Sequence, residues 1–350
     1  MTNNKKFRWG IWGTGAIANA FASDIQASEN MCLSAVCSRS LATAENFRQR
    51  LGAQKAFSDP ESFLSDGDVD AVYIATPNAM HVSQSLHAIE AGKPCLTEKP
   101  LTLEANGANQ VAIASKTHNV FAMEAMWSRF LPTVTAAKQH IEAGRIGEVR
   151  HIEADLSYFR AEEPQSRFFD PALGGGAAFD LGVYPVSLAL HFLGLPDTAA
   201  GRWQRATSGV DMRTEIELAY SHAKARLSCG FDRDGKNQML IEGTDGAILL
   251  HAPFLKAQRL TIFSGKAQHS PLGPKSTGGL MGKILNRLPL PGRTVEHYAF
   301  AGNGLHFQAE AVRDAVLRGE ISSPVMPLAH SAAVADIIGT VLGQPSANAG

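Results

Sequence analysis

Gly13-Thr14-Gly15-Ala16-Ile17-Ala18 stands directly behind the apolar run Phe7–Trp12. A strand that ends in GxGxxA and opens a helix is a phosphate cradle. The first glycine makes the turn, the second lets backbone approach a pyrophosphate, and the small third residue packs helix on strand. The unpaired N–H groups of the helix start then favour an anion. A helical stretch, Ala16–Ala27, and a second apolar strand, Met31–Cys37, complete a βαβ unit of about 30 residues. The same six residues also occur in plain glycine-rich turns. The strand before them and the helix after them select the nucleotide reading.

Outward from this unit, strand and helix alternate. Helix Leu41–Leu51, strand Asp70–Ala75, helix Ala79–Ala91, strand Pro94–Glu98, helix Glu104–His118 and strand Val120–Glu124 follow in order. Strict alternation predicts a parallel, doubly wound sheet. After about Phe130 the pattern changes. Helix Pro132–Ala143, strand Val149–Tyr158 and a helix at Asp180–Leu193 precede a run of strands: Thr198–Ala206, Arg213–Tyr220, Ala225–Phe231, Gln238–Glu242, Ala247–Leu250 and Gln258–Phe263. Consecutive strands favour antiparallel pairing. The expected fold is an α/β Rossmann domain over 1–125 and an α+β domain over 126–350 with a large, open, mostly antiparallel sheet. Helix Leu305–Arg318 is expected to close that second domain, and Ser264–Arg293, rich in Gly, Pro, Ser and Lys, reads as a long surface loop.

Composition narrows the class. The 350 residues carry 32 basic and 33 acidic side chains, a net charge of −1, which makes no electrostatic case for nucleic acid or an anionic membrane. Cys32, Cys37, Cys95 and Cys229 show no CxxC or zinc spacing, so reduced thiols and no metal site are expected. The polar start Met1–Lys6 and the lack of a long apolar span predict a cytoplasmic protein.

Candidate chemistry lies at the predicted strand tips. The second strand ends in Cys37-Ser38-Arg39-Ser40, with no acid to take a ribose 2′-OH; Arg39, Ser38 and Ser40 suit a 2′-phosphate, so NADP is expected, with NAD as the alternative. Arg39 reads equally as a solvated loop arginine. Ala75-Thr76-Pro77-Asn78 ends another strand where this fold meets its cofactor, and His81 follows in the next helix, where packing is the plainer role. In Thr97-Glu98-Lys99-Pro100 a lysine sits at a strand tip. An ammonium there stabilises a developing alkoxide; the plainer reading is a surface lysine. In Gly174–Pro185, Asp180 and Tyr184 stand four apart, on one face of a helix, able to bind a polyol and move a proton, or simply to cap and pack.

These motifs, in this order, resemble the glucose–fructose oxidoreductase / inositol dehydrogenase / rhizopine catabolism (Gfo/Idh/MocA) family over nearly the whole chain. Glu124–Pro132, Arg167–Pro171 and Ser323–Leu328 look like its dihydrodiol dehydrogenase and NADP-linked xylose dehydrogenase branch. The resemblance implies a catalytic set of Lys99, Asp180 and Tyr184. Tyr184 acts as general base, Lys99 stabilises the oxyanion and lowers the phenol pKa, and Asp180 orients substrate or Lys99. It implies cofactor contacts from Gly13, Thr14, Gly15, Ala16, Ile17, Ser38, Arg39, Ser40, Thr76, Pro77, Asn78, His81, Glu98 and Lys99, and a pocket lined by Trp127, Arg129 and Arg167. The implied activity is NADP-dependent hydride transfer at a hydroxyl or carbonyl of a pyranose sugar or cyclic diol. Implied too is a homodimer or homotetramer packed through the second-domain sheet. A catalytically silent nucleotide-binding sensor, an inositol or keto-sugar dehydrogenase, and an enzyme alternating two substrates on a tightly held cofactor remain as other readings. The 264–293 segment, with Lys266, Lys275, Lys283, Arg287 and Arg293, is longer than the branch leads one to expect.

Overall fold

The computed structural model describes residues 6–66, 68–163, 165–265 and 291–347. These form two compact units: the chain up to Trp127 with Ala301–Asp336, and Ser128–Phe300 with the chain from Ile337.

In the first unit six strands, β1 (Phe7–Trp12), β2 (Met31–Cys37), β3 (Lys55–Phe57), β4 (Ala71–Ile74), β5 (Cys95–Glu98) and β6 (Ala122–Ala125), pair in the order β3-β2-β1-β4-β5-β6. Every pair is parallel. Helices α1 (Ala16–Gln26), α2 (Leu41–Leu51), α3 (Pro60–Ser65), α4 (His81–Glu90) and α5 (Ala105–His118) connect them. Strands β4, β5 and β6 are buried along their whole length, as a parallel sheet covered on both faces requires. The strand order reverses between β1 and β4, and the carboxyl ends of strands at such a switch point are where this fold binds ligands. Three-residue β3 and six-residue α3 are absent from the sequence reading, being too short to show a period. Asp59 nonetheless caps α3 in the expected way, accepting from the Ser62 N–H at 2.8 Å with Pro60 behind it.

In the second unit, α6 (Pro132–Glu142), β7 (Val149–Ser157) and α7 (Val183–Leu193) precede the strands β8 (Thr198–Arg205), β9 (Asp211–Ala219), β10 (Lys224–Gly230), β11 (Met239–Gly243), β12 (Gly246–Leu250), β13 (Arg259–Ser264) and β14 (Arg293–His297). They make one eight-stranded sheet, β14-β13-β12-β11-β7-β10-β9-β8. Only β7 and β10 run parallel. Register and period 2 sort its faces: Ile152, Ala154 and Leu156 lie beside Ala225, Leu227 and Cys229, all buried, while Glu153 and Asp155 lie beside Arg226 and Ser228. The two ends of the expected 264–293 loop are strand residues, Ser264 closing β13 and Arg293 opening β14. Positions 266–290, with Lys266, Lys275, Lys283 and Arg287, lie outside the described residues.

Two expectations need correcting. Helix α8 (Leu305–Leu317) belongs to the first unit, not the second. Its partner is α1, and the lock is Asp24, a carboxylate only 4% exposed. Asp24 accepts from the N–H groups of Leu305 at 2.8 Å and Asn303 at 2.9 Å, so it caps α8 from across the chain. No local pattern reveals a cap supplied some 280 residues away. The described residues also hold a long apolar helical stretch after all: Pro171–Leu193 has the length and composition to cross a membrane, but 83% of its apolar 18-residue window is buried inside the protein, as in the core helix of a folded domain. A last helix, α9 (Leu328–Leu342), was not read from sequence; Leu328 and Ala332 join the first unit's core.

Asp24→Ala leaves the first N–H groups of α8 without acceptors, so it should cost about 2–4 kcal/mol of stability. Urea denaturation checks this. A loss under about 0.5 kcal/mol, the scale of an ordinary surface change, would show that Asp24 is not the lock.

Candidate active site

The cradle is built by a close approach. Gly13 has φ +116°, and a side chain there would run into the Ala75 carbonyl at the end of β4. Its N–H donates to the Cys37 carbonyl of β2 at 2.9 Å, and Ala75 N–H donates to the Trp12 carbonyl at 2.8 Å. The turn is therefore pinned to both neighbouring strands. Gly15 faces the opposite condition, with open space where a Cβ would stand. It caps α1 with no side-chain hydrogen bond and no acid in the first turn, and Gly15, Ala16 and Ile17 are exposed. Thr14 Oγ1 lies 3.4 Å from Ser38 Oγ, joining the cradle to the tip of β2, where Arg39 and Ser40 are exposed. A bare helix N-terminus, room for an anion and an arginine at the second strand tip fit a dinucleotide.

The loops after β4 and β5 are tied together by His81. Its ring is 1% exposed; Nε2 lies 2.8 Å from the Thr76 carbonyl and Nδ1 2.7 Å from the Pro100 carbonyl. Burial pushes its pKa down, and a neutral ring donates to one of the two carbonyls. His81 thus holds the Thr76-Pro77-Asn78 loop to the Lys99-Pro100 loop, with its ring atoms engaged inside the protein. Thr76 Oγ1 donates to Gln84 at 2.5 Å, Pro77 is exposed and Asn78 half-buried. Lys99 is half-buried at the tip of β5, ahead of a cis peptide to Pro100. Glu98 is buried beneath it. Its Oε1 accepts from the Tyr73 hydroxyl and its Oε2 from the Lys99 N–H at 3.2 Å, and burial pushes its carboxyl up to about 7. Glu98, like His81, is a support under the loop in this structure.

In the second unit the residues from Ala178 to Gly182 make a π-helical turn that runs into α7. Such wide turns recur at functional sites. Asp180 lies within it and Tyr184, 7% exposed, one turn on in α7. Arg167 Nη1 stands 3.8 Å from Asp180 Oδ1, with its guanidinium 4.1 Å above the Phe168 ring. Arg129 is elsewhere. It is 1% exposed, with Nε donating to Ser187 Oγ at 2.8 Å and Nη2 to the Ser187 carbonyl at 2.6 Å. Arg129, expected as a pocket residue, fastens the start of this unit to α7 through Ser187. Trp127 is buried too, at 8% exposure.

Sequence reasoning missed Asp211. This carboxylate, at the start of β9, accepts from the Ala178 N–H at 2.8 Å and the Thr214 hydroxyl at 2.6 Å, and so caps the wide turn. Gly176, at φ +117°, is the glycine whose side chain would strike it. Tyr73 was missed as well, although a phenol inside a fully buried strand is a visible signal. Burial pushes the Asp211 carboxyl up to about 6. Since the ordinary value is about 4, the folded state holds this proton more tightly than the unfolded one. The contribution is present below about pH 4 and lost as pH rises through about 6. Asp211→Asn keeps an acceptor and cannot ionise, so its stability relative to wild type should improve over that window. Denaturant midpoints at stepped pH test this, and an offset constant with pH would rule it out.

Comparisons with known proteins agree with this architecture. Residues 7–125 match the Gfo/Idh/MocA oxidoreductase family, NAD-binding Rossmann fold, and residues 134–249 match the Gfo/Idh/MocA C-terminal domain. The chain is 32% identical over 344 residues to a trans-1,2-dihydrobenzene-1,2-diol dehydrogenase of Xenopus laevis, covering 96% of this chain and 97% of that one. An aldose–aldose oxidoreductase of Caulobacter crescentus, solved with glycerol, matches over 96% of each chain with a TM-score of 0.81 at 20% identity. A 3-ketoreductase of Actinomadura kijaniata, solved with NADP and TDP-benzene, matches over 96% of this chain and 97% of its own with a TM-score of 0.77 at 24% identity. At those identities the two solved structures speak for the fold alone. The two domain matches in chain order, with a relative at this identity along nearly the full length, make the chain a member of the Gfo/Idh/MocA oxidoreductase family.

Proposed function

We propose that this protein is an NADP-linked dehydrogenase acting on a hydroxyl of a pyranose sugar or cyclic diol, with Lys99, Asp180 and Tyr184 as the reacting set. The observation that carries the reading is the cradle: Gly13 closed against Ala75, Gly15 open, and α1 uncapped. Lys99 stands at the tip of a strand in the same sheet. The dihydrodiol dehydrogenase of Xenopus laevis points to the diol class, and Arg39 at the tip of β2, where no acid stands, to the phosphorylated cofactor. NADP, when bound, exchanges a hydride with the substrate carbon.

The chain supplies the rest. The N–H groups at the start of α1, with Thr14, would hold the pyrophosphate, and Arg39 with Ser38 and Ser40 the 2′-phosphate. Thr76, Pro77 and Asn78 flank the cofactor at the tip of β4. Tyr184 takes the hydroxyl proton; the Lys99 ammonium stabilises the alkoxide oxygen as it forms and favours the phenolate. Asp180, steadied by Arg167, orients the substrate hydroxyls. The same reading carries a cytoplasmic homo-oligomer built on the second-domain sheet.

Cofactor reduction followed by absorbance, with aldoses, myo-inositol and a trans-dihydrodiol, tests the reading. Lys99→Met should lower turnover by about 10²–10⁴-fold with NADPH binding intact, and Tyr184→Phe should do so by a similar factor without unfolding. Normal turnover in either removes that residue from the mechanism. Arg39→Ala should weaken NADPH by roughly 10–100-fold, the worth of a charge-assisted contact, and leave NADH nearly unchanged. Equal losses for both would mean that Arg39 does not read the 2′-phosphate.

A further inference from the structure

Two arginines are gathered on one aromatic ring beside Asp180, and one of them has no place in the proposed reaction. Arg160, just beyond β7, puts its guanidinium carbon 3.7 Å from the centre of the Phe168 ring, and Arg167 puts its own 4.1 Å from the same centre. The ring is itself held. It meets Phe231 edge-on with centroids 5.8 Å apart, and Phe231 is fully buried. The Phe168 carbonyl accepts from the Gly176 N–H at 2.8 Å, and a side chain at Gly175 would run into that carbonyl. The glycine run therefore ties this platform to the turn that carries Asp180, and Arg167 Nη1 completes the link at 3.8 Å from Asp180 Oδ1.

Arg160 is the member that the reaction leaves over. Among the described residues its guanidinium pairs with no carboxylate, and its Nε is buried with no acceptor. The acids nearest in sequence are turned elsewhere. Glu162 accepts from the Thr207 hydroxyl at 2.7 Å and Asp170 from the Ala172 N–H at 2.9 Å, while Glu163 is exposed and pairs with neither arginine. Packing alone does not call for this arrangement. Two like charges on one ring repel each other, and a buried charged donor without an acceptor is costly. An oxyanion relieves both. A guanidinium stacked on a ring keeps its N–H edge turned outward in a fixed plane, the geometry that meets a carboxylate or phosphate with two parallel hydrogen bonds.

We propose that Arg160 and Arg167, on the Phe168 platform, recognise an oxyanion carried by the substrate, so that an acidic sugar, a uronate or a sugar phosphate, is preferred over its neutral parent. Asp180 orients hydroxyls, and the two arginines take the acidic substituent of the same molecule. This rests on the reading of the protein as a sugar or diol dehydrogenase and names the substrate class within it.

The test is kcat/KM with NADP⁺ for glucuronate, galacturonate and glucose 6-phosphate, each beside its neutral hexose, in wild type, Arg160→Gln and Arg160→Lys. Wild type should favour at least one acidic sugar over its parent by about 10–100-fold, the worth of a charge-assisted pair. Which acid wins tells a carboxylate from a phosphate. Arg160→Gln should lower that preference by a similar factor, and Arg160→Lys, which keeps the charge and loses the planar fork, by less. The preference is a ratio taken on one preparation, so it does not depend on how much of a variant is folded. An arginine that only packed on Phe168 would lower both rates and leave their ratio in place. If Arg160→Gln does not fold, Arg160→Lys decides, and a ratio equal to that of wild type overturns the inference. Turnover of neutral sugars or diols with no preference for the acids, or a preference unmoved in both variants, also overturns it and leaves the proposed function standing. No turnover of any sugar or diol, acidic or neutral, removes both.

Discussion

The carbonyl oxygen of Ala75 occupies the place where a side chain at residue 13 would stand. This one steric fact brings the end of β1 against the end of β4, at the point where the strand order reverses. It lets α1 start at once, with its first N–H groups bare and facing open space at Gly15. Any larger residue at 13 would push the turn off Ala75 and move the helix start with it. The loops that end β2, β4 and β5 are all placed relative to this corner. Gly13 bonds to Cys37, Thr14 meets Ser38, and Thr76 is tied through His81 to Pro100.

Buried ionisable groups do most of the remaining placement. Asp24 joins α1 to α8, Asp211 caps the turn that carries Asp180, Arg129 fastens Ser187 of α7, and Glu98 sits under Lys99. Each is dearly desolvated and each is met by backbone or hydroxyl partners, the condition under which buried polar groups are tolerated. Their common effect is directional. Apolar packing fixes which elements touch, whereas a carboxylate that accepts particular N–H groups fixes how one element is rotated and shifted against another. Lys99 follows Glu98 directly, Asp180 lies two positions beyond the Ala178 N–H held by Asp211, and Tyr184 three positions before the Ser187 held by Arg129.

Local sequence set the frame. Phe7–Trp12, Met31–Cys37 and Leu41–Leu51 are strands and a helix with the bounds their patterns predict, and the other elements read from the sequence differ by one to three residues at their ends, while α9 shows no such signal. The strand tips that carry Thr76, Lys99 and Arg39 follow directly from those bounds. The short pieces, Lys55–Phe57 and Pro60–Ser65, escaped because three to six residues show no period. Asp180 and Tyr184 were visible as a spacing, but the wide turn that holds Asp180 was not, because it depends on a carboxylate arriving from β9.

By itself, then, the sequence determined most of the longer strands and helices, which of them end in chemically capable residues, and the class of cofactor the first turn accepts. These depend on neighbours within a few positions, and periodicity, glycine and capping chemistry record them directly. Only the tertiary structure decided that Leu305–Leu317 packs on α1, that Arg129 is an internal fastener, and that His81 and Glu98 brace the loop of Lys99. Apart from the contact between the neighbours Glu98 and Lys99, those outcomes turn on partners from 19 to 281 residues away, and a side chain's role is settled by which donors and acceptors the fold brings within 3 Å or so of it.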